Sequence, residues 1–299
     1  MKKQKISNRK LFKNNINKLF KSSSLIIIAL ILTITSLSTI VVPDVKAYPG
    51  ELDQAFQTNL GSGFDNDILT TALQPDGKIL VGGNFTTYNG SPQNSLIRLN
   101  PDGSKDISFH VDTAFDVNEA PSVESIVIQP DKKILVGGNF TTYNGLPQKS
   151  LVRLNSDGSK DNSFDFVVYN IGYYYSVAAI SLQPDNKILV GGVFYGEYPD
   201  YQYLIRLNND GSKDSSFDTG TGFGIDEGTA VESIILQPDN KILVGGYFAS
   251  YNGSPQNSLI RLNPDGSKDT AFNCGDGFIN SNVRNMILQP DGKILVGGN

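Results

Sequence analysis

Tryptophan is absent from this chain, cysteine and histidine occur once each, and methionine only twice. A single thiol, Cys274, excludes an intrachain disulfide and any cysteine-based metal site. Cys274 stands in AFNCGDGF where an earlier copy, SFDTGTGF, has Thr219, so it reads as a small strand residue. A single imidazole, His110, leaves one candidate base for a serine or cysteine triad. It follows Phe109 in a repeated segment, and no other copy has histidine there, so catalysis of that kind has little support. After residue 48 no helical periodicity of useful length is visible. Phosphate-cradling loops are missing as well, because the Gly-Gly pairs lie inside apolar runs and do not open helices.

Acidic residues are missing from the first 23 positions, which carry eight basic groups. An apolar run from Leu25 to Val42, softened by Thr33, Thr35, Ser36, Ser38 and Thr39, comes next, and then Val45-Lys46-Ala47. Basic, apolar, small-x-small is the order of a secretory signal peptide, here a signal helix over 1–47 with cleavage expected after Ala47. An uncleaved signal anchor is the alternative, because 18 apolar residues approach the length that spans a bilayer. From Tyr48 onward 16 basic residues stand against 29 acidic ones, a net charge of −13. That surface repels nucleic acid and anionic lipid, so contact with a membrane is expected only through an uncleaved N-terminal segment.

What the chain does contain is one stretch in five copies. The first runs LQPDGKILVGGNFTTYNGSPQNSLIRLNPDGSKDISF from Leu73 to Phe109, and the others begin at Ile128, Leu182, Leu236 and Leu288. The spacings of 55, 54, 54 and 52 residues mark a repeat architecture, with units opening near 68, 123, 176, 230 and 282. Each unit is expected to hold four strands. In the second copy these are Val123–Gln129, Ile134–Tyr143, Ser150–Asn155 and a fourth around Phe164, separated by Pro130-Asp131, Asn144-Gly145 and Asp157-Gly158 turns. DQAFQTNLGSGFDND, within Tyr48–Asp67, matches the ends of later units, DSSFDTGTGFGID and DTAFNCGDGFINS, and is expected to be the last strand of a unit.

The second strand decides the architecture. In Ile79-Leu80-Val81-Gly82-Gly83-Asn84-Phe85 both alternating faces are apolar or bare, whereas an open antiparallel sheet keeps one polar face. The sheet must be sandwiched between two others, as in the radially packed four-stranded blades of a β-propeller. The Gly-Gly pair, present in all five copies, fits a point where blades converge and side chains would collide. The fold class is therefore all-β, a β-propeller over 48–299 with about five four-stranded antiparallel blades visible.

PDGKILVGGNFTTYNG followed by LIRLNPDGSKD and SF resembles the delta-60 repeat of bacterial exported proteins, over residues 51 to 299. The resemblance implies a β-propeller and no particular activity. The N-terminal end supplies a fourth strand and the C-terminal end only first and second strands. A piece of a longer protein is the expected explanation, and a five-bladed ring that closes imperfectly is the alternative, because so apolar an open edge would aggregate.

Three features are candidates for chemistry. Oxygen donors alternate in Asn100-Pro101-Asp102-Gly103-Ser104-Lys105-Asp106 and in its three later copies, as in a calcium loop. The glycine is misplaced for an EF-hand and a lysine sits inside each copy, so Asx turns are expected and no metal or other cofactor. Arg98, Arg153, Arg206 and Arg261 recur in mid-strand, and each is expected to pair within its blade, Arg98 with Asp106. The third unit departs from the pattern: YGEYPDYQY replaces TTYNGSPQNS, and YNIGYYYS precedes it. Eight of thirteen tyrosines fall there, and Tyr173, Tyr174, Tyr175, Tyr198, Tyr201 and Tyr203 form the candidate ligand-binding set. Flat rings with polar tips suit carbohydrate or a surface protein. The expectation is a non-catalytic, secreted or cell-surface binding module. The alternatives are a polysaccharide lyase or hydrolase with a site at the propeller centre, or a passive spacer of a larger surface protein.

Overall fold

The computed structural model describes residues 53–111, 115, 121–166, 175–194, 203–224 and 228–299, so the expected signal segment lies outside the described residues. Among those described, no helix is long and apolar enough to cross a membrane.

Every unit is an antiparallel meander. The first contains β1 (Ile68–Leu73), β2 (Ile79–Gly83) and, after a small hairpin of β3 (Thr87–Tyr88) and β4 (Ser91–Pro92), β5 (Leu96–Leu99). The second contains β6 (Ser122–Ile128), β7 (Ile134–Asn139), the hairpin β8 (Thr142–Tyr143) and β9 (Leu146–Pro147), and β10 (Leu151–Leu154). In the third, β11 (Tyr175–Leu182), β12 (Ile188–Phe194) and β13 (Leu204–Leu207) form the sheet. The fourth has β14 (Ala230–Leu236), β15 (Ile242–Tyr247), the hairpin β16 (Ser250–Tyr251) and β17 (Ser254–Pro255), and β18 (Leu259–Leu262). Two strands, β19 (Val283–Leu288) and β20 (Ile294–Gly298), form the fifth. Central strands β2, β7, β12 and β15 each pair with both neighbours, which gives three-stranded sheets.

Turn chemistry sets the register. Pro-Asp-Gly and Pro-Asp-Asn place Gly77, Asn186, Asn240 and Gly292 at positive φ, as the tight turn between the first two strands requires. Lys132 adopts φ 69 at the same point of the second blade, without the usual glycine or asparagine. Every first strand carries a β-bulge near its start, at Leu69, Glu124, Ala178, Glu232 and Arg284.

The expected fourth strand is corrected. Around Phe164 there is a turn, in which Phe164 N–H donates to Asp161 O, and the segment's contact with its sheet is the isolated bridge between Leu154 and Lys160. The side chain of Asp161 accepts from Ser163 N–H, which curls the backbone away from a ladder. The expected second strand, Ile134–Tyr143, is divided at Asn139. Nor is the stretch before residue 67 a strand: Gln54–Leu60 is a short α-helix, α1, capped by Asp53, which accepts from Ala55 N–H and Phe56 N–H. Its likeness to later unit ends is nonetheless structural, since Phe64 bridges Tyr88 as Phe223 bridges Tyr251.

Blades pack in chain order, the first strand of each against the sheet before it, and among the described residues they do not close into a ring. Leu80 and Leu96 of the first blade share one cluster with Val123 and Ile126 of the second. Leu135 and Leu151 do the same with Val177 and Ile180. The two glycines of each central strand have separate reasons. A Cβ on Gly82, Gly137, Gly191 or Gly245 would overlap Val123, Val177, Val231 or Val283 of the next blade. A Cβ on Gly83 or Gly138 would instead strike a carbonyl of its own first strand, Asp67 O or Ser122 O.

Candidate functional site

The most regular chemistry lies at the outer strand. Arg98 Nε donates to Asp106 Oδ2 at 2.6 Å, and Lys78 Nζ reaches the same oxygen at 2.8 Å. The other oxygen, Oδ1, accepts from Ser108 Oγ and N–H. Arg98 lies over the Phe109 ring, 4.4 Å from its centroid, a contact of about 0.5–2 kcal/mol. Asp161, Asp214 and Asp269 repeat the pairing with Arg153, Arg206 and Arg261, above Phe164, Phe217 and Phe272. Burial pushes the Asp106, Asp161 and Asp214 carboxyls up, but the lysine, serine and arginine donors together hold them well below the usual carboxylate range. Asp269, held chiefly by Lys241, is lowered to about 2. The within-blade arginine pairing expected from the sequence is present.

These arginines also join blades. Arg98 Nη1 donates to Ser156 O, Arg153 Nη1 to Asn209 O and Arg206 Nη1 to Pro264 O, each carbonyl lying in the turn of the following blade. A pocket of about 470 Å³ beside the third of these links is lined by Gln183, Asp185, Arg206, Ser216, Asn240 and Asp265. Its lining belongs to the repeat, so it is a groove of the joint. The alternating oxygens of the outer turns are engaged locally: Asp102 Oδ1 accepts from Ser104 N–H and Oγ, and Asn100 Nδ2 donates to Ser104 Oγ. Asp157, Asp210 and Asp265 make the same Asx turns. Among the described residues no three His, Cys, Asp or Glu side chains are grouped to hold a metal ion.

A second set, absent from the sequence expectations, sits on the first strands. Glu124 Oε1 accepts from Ser122 Oγ at 2.8 Å, and Oε2 from Ser176 Oγ of the next blade at 2.9 Å. Glu232 Oε1 accepts from Asn282 Nδ2 of the fifth blade at 2.6 Å. Burial raises the Glu124 carboxyl, the two serines lower it, and the Glu232 charge raises it further. Both glutamates occupy the bulge, where the five blades carry Leu69, Glu124, Ala178, Glu232 and Arg284. Variation at one position of an otherwise repeating strand was the available signal.

Of the tyrosines, Tyr173, Tyr174, Tyr198 and Tyr201 lie outside the described residues. Tyr175 opens β11 opposite Phe194. Tyr203 is 2% exposed and packs with Leu189, Leu204 and Phe217, so it is a core residue and not a presented one. It precedes β13 where Ser95, Ser150 and Ser258 precede the other outer strands, and Gly192 N–H donates to its carbonyl as Gly83 N–H does to that of Ser95. Elsewhere the hairpin tyrosines are buried pins: Tyr88, Tyr143 and Tyr251 hydroxyls donate to Gly103 O, Gly158 O and Gly266 O. His110 is exposed, and its N–H donates to Asp157 O. Cys274, partly buried, packs beside Leu259.

Residues 74–109, 129–164, 183–217 and 237–272 match the model of a domain of unknown function described as the DUF5122 beta-propeller. These four stretches are similar to the DUF5122 beta-propeller repeat. Each matched stretch runs from the tight turn after a first strand to the phenylalanine under the arginine, and so takes in the Arg–Asp–Lys network and one central strand of this chain. No curated protein sequence matches the chain. Among solved structures it is similar to the extracellular domain of a B. thetaiotaomicron protein described as a one-component system, at 14% identity over 81% of this chain and 34% of that one, with a TM-score of 0.34. The extracellular domain of a protein described as a hybrid two-component system of the same organism gives 14% identity, 78% and 32% coverage and a TM-score of 0.30. The chain thus spans about a third of the length of these structures.

Proposed function

We propose that this chain is a non-catalytic, exported binding module of the delta-60 type, carried outward by a signal peptide over 1–47. Rigid blades hold variable loops, and the partner is carbohydrate or a surface protein. One observation carries this reading: the charges repeated in register in four blades serve the same internal network, while the third unit reads YGEYPDYQ over 195–202, where the first reads TTYNGSPQN. Repeated groups that hold blades together are not available to a ligand, so recognition falls to what is not repeated. Glu124 and Glu232 are the groups an enzyme reading would use. Their bonds to Ser176 and Asn282 of adjacent blades support a clasp between blades instead.

The test is simultaneous alanine substitution of Tyr173, Tyr174, Tyr198 and Tyr201, with binding measured on a glycan array and on the host's own cell surface. Binding is expected to fall at least tenfold while the circular dichroism spectrum is kept. Unchanged binding would leave the passive-spacer reading in its place.

A further inference from the structure

Where one blade meets the next, an arginine and a buried glutamine of the first lie against the outer turn of the second, and three joints satisfy them differently. At the joint of the first and second blades, Arg98 Nη1 donates to Ser156 O and lies 3.4 Å from Gln74 Oε1, so arginine and glutamine meet each other's needs. At the next joint Asn209 supplies one oxygen for both: Arg153 Nη1 donates to Asn209 Oδ1 at 3.2 Å and Gln129 Nε2 at 3.4 Å. At the joint of the third and fourth blades the residue in the place of Asn209 is Pro264, which has no side-chain oxygen. Arg206 Nη1 there donates to Pro264 O and to no second acceptor among the described residues. Gln183, 6% exposed, makes no side-chain hydrogen bond among them, and its buried Oε1 is left without a partner.

The groove of about 470 Å³ lies at this third joint. Gln183 and Arg206 form its buried floor, while Asp185, Ser216, Asn240 and Asp265 stand exposed on its rim between Pro184 and Pro264. The joint of the second and third blades has the same residue types, Gln129, Asp131, Arg153, Ser163, Asn186 and Asp210, and differs in having Asn209 for Pro264. On the rim, Asp185 Oδ1 accepts from Lys187 N–H and Asp265 Oδ1 from Ser267, which leaves one oxygen of each carboxylate over. What the third joint lacks is therefore a single oxygen that accepts from Arg206 and Gln183 as Asn209 Oδ1 accepts from Arg153 and Gln129.

We propose that this groove binds a neutral sugar, one hydroxyl oxygen of which takes the place that Asn209 Oδ1 holds at the preceding joint. A hydroxyl both accepts and donates, so it accepts from Arg206 Nη1 and Gln183 Nε2 and gives its own hydrogen to Asp185 or Asp265. A carboxylate or phosphate would serve the floor but not the rim, whose two charges repel it. The volume lies within the range of small-molecule sites, about 300–1,000 Å³, and the rings of Pro184 and Pro264 offer apolar contact to the C–H face of a sugar. The groove stands at the turn between β11 and β12, whereas the 195–202 stretch follows the opposite end of β12, so this site is separate from the one proposed above.

The experiment is an NMR titration of the full chain with methyl glucoside, methyl galactoside and N-acetylglucosamine, and with glucuronic acid as the charged control. The wild-type chain is expected to bind at least one of the neutral sugars with a millimolar dissociation constant, and glucuronic acid about tenfold more weakly. Pro264→Asn gives the third joint the oxygen of the second and should weaken sugar binding at least tenfold. Asn209→Pro opens the second joint and should double the sugar bound at saturation. Proline and asparagine already share this turn position, as Pro101, Asn209 and Pro264, so both variants keep the fold of the blade. Alanine at Tyr173, Tyr174, Tyr198 and Tyr201 should leave this binding as it is, which separates failure of the groove from failure of the tyrosine site. A wild-type chain that binds none of the neutral sugars would make the groove a water-filled seam and overturn the proposal. Undiminished binding by the Pro264→Asn chain, no second site in the Asn209→Pro chain, or loss of binding on tyrosine substitution would overturn it equally.

Discussion

The second and fifth blades spell their central strands alike, ILVGG over Ile134–Gly138 and Ile294–Gly298, yet the first copy is buried throughout and the second has no buried residue. Identical strand residues and the same ladder to the first strand produce opposite exposure. The glycines divide the causes. Gly138 and Gly298 both face a carbonyl of their own first strand, Ser122 O and Asn282 O, so that constraint is local. Gly137 faces Val177 and Ile180 of the next blade, while Gly297 faces open space, so the other constraint is supplied by a neighbour. The ion network divides likewise: Lys133 reaches the buried Asp161, whereas Lys293 bonds the exposed Asp291 of its own turn. A blade carries its pattern alone and obtains its core from the blades beside it.

Acid is the strongest way to break this difference. Asp106, Asp161, Asp214 and Asp269 have folded values below the unfolded 3.8, so their stabilisation is complete above about pH 5 and is lost as pH falls through 4 toward 2 and below. Glu124 has the opposite sign, being raised, and its ionisation costs stability as pH rises, which partly offsets the loss on acidification. Urea midpoints measured from pH 6 to pH 2 should fall steeply below 4, with the four network blades opening together. A flat profile would deny the networks their role.

Side-chain truncation should sharpen the contrast next. Leu135→Ala removes a fully buried side chain and should cost about 2–5 kcal/mol. Leu295→Ala, its equivalent in the fifth blade, should stay within about 0.5 kcal/mol in dilute solution. Equal costs by chemical denaturation would mean that the fifth blade is covered. A smaller effect is expected from adding one methyl group. Gly137→Ala should cost about 1–3 kcal/mol because Val177 and Ile180 must shift, and Gly297→Ala should be nearly neutral. Gly138→Ala and Gly298→Ala serve as the internal control, since each meets its own strand and both should be strained.

Much of the scaffold was legible because it rests on short-range chemistry. Pro-Asp-Gly turns, the doubly apolar central strand and the Arg98–Asp106 pairing all depend on residues within one unit, and repetition exposed them. The fourth strand was misread because Phe164 alternates like a strand residue, while Asp161 turns the backbone by accepting from Ser163 N–H. Helix α1 was missed because seven residues are too few to show a period, although Asp53 before Gln54 was a usable capping signal. At the candidate site the tyrosines drew attention by number, yet Tyr203 belongs to the core, and composition cannot separate a buried ring from a presented one. Glu124 and Glu232 went unnoticed because a bulge shifts the strand's alternation by one residue, and only backbone pairing reveals it.

By itself, then, the sequence determined the unit: its strands, its turns, its glycine pair and the arginine that closes it, all through contacts a few residues apart. Only the tertiary structure decided how the copies of that unit pack on one another and which bulge residues meet across blades. The reason is that apolar burial and blade-to-blade bonds depend on what occupies the adjoining space. No repeat encodes its own neighbour.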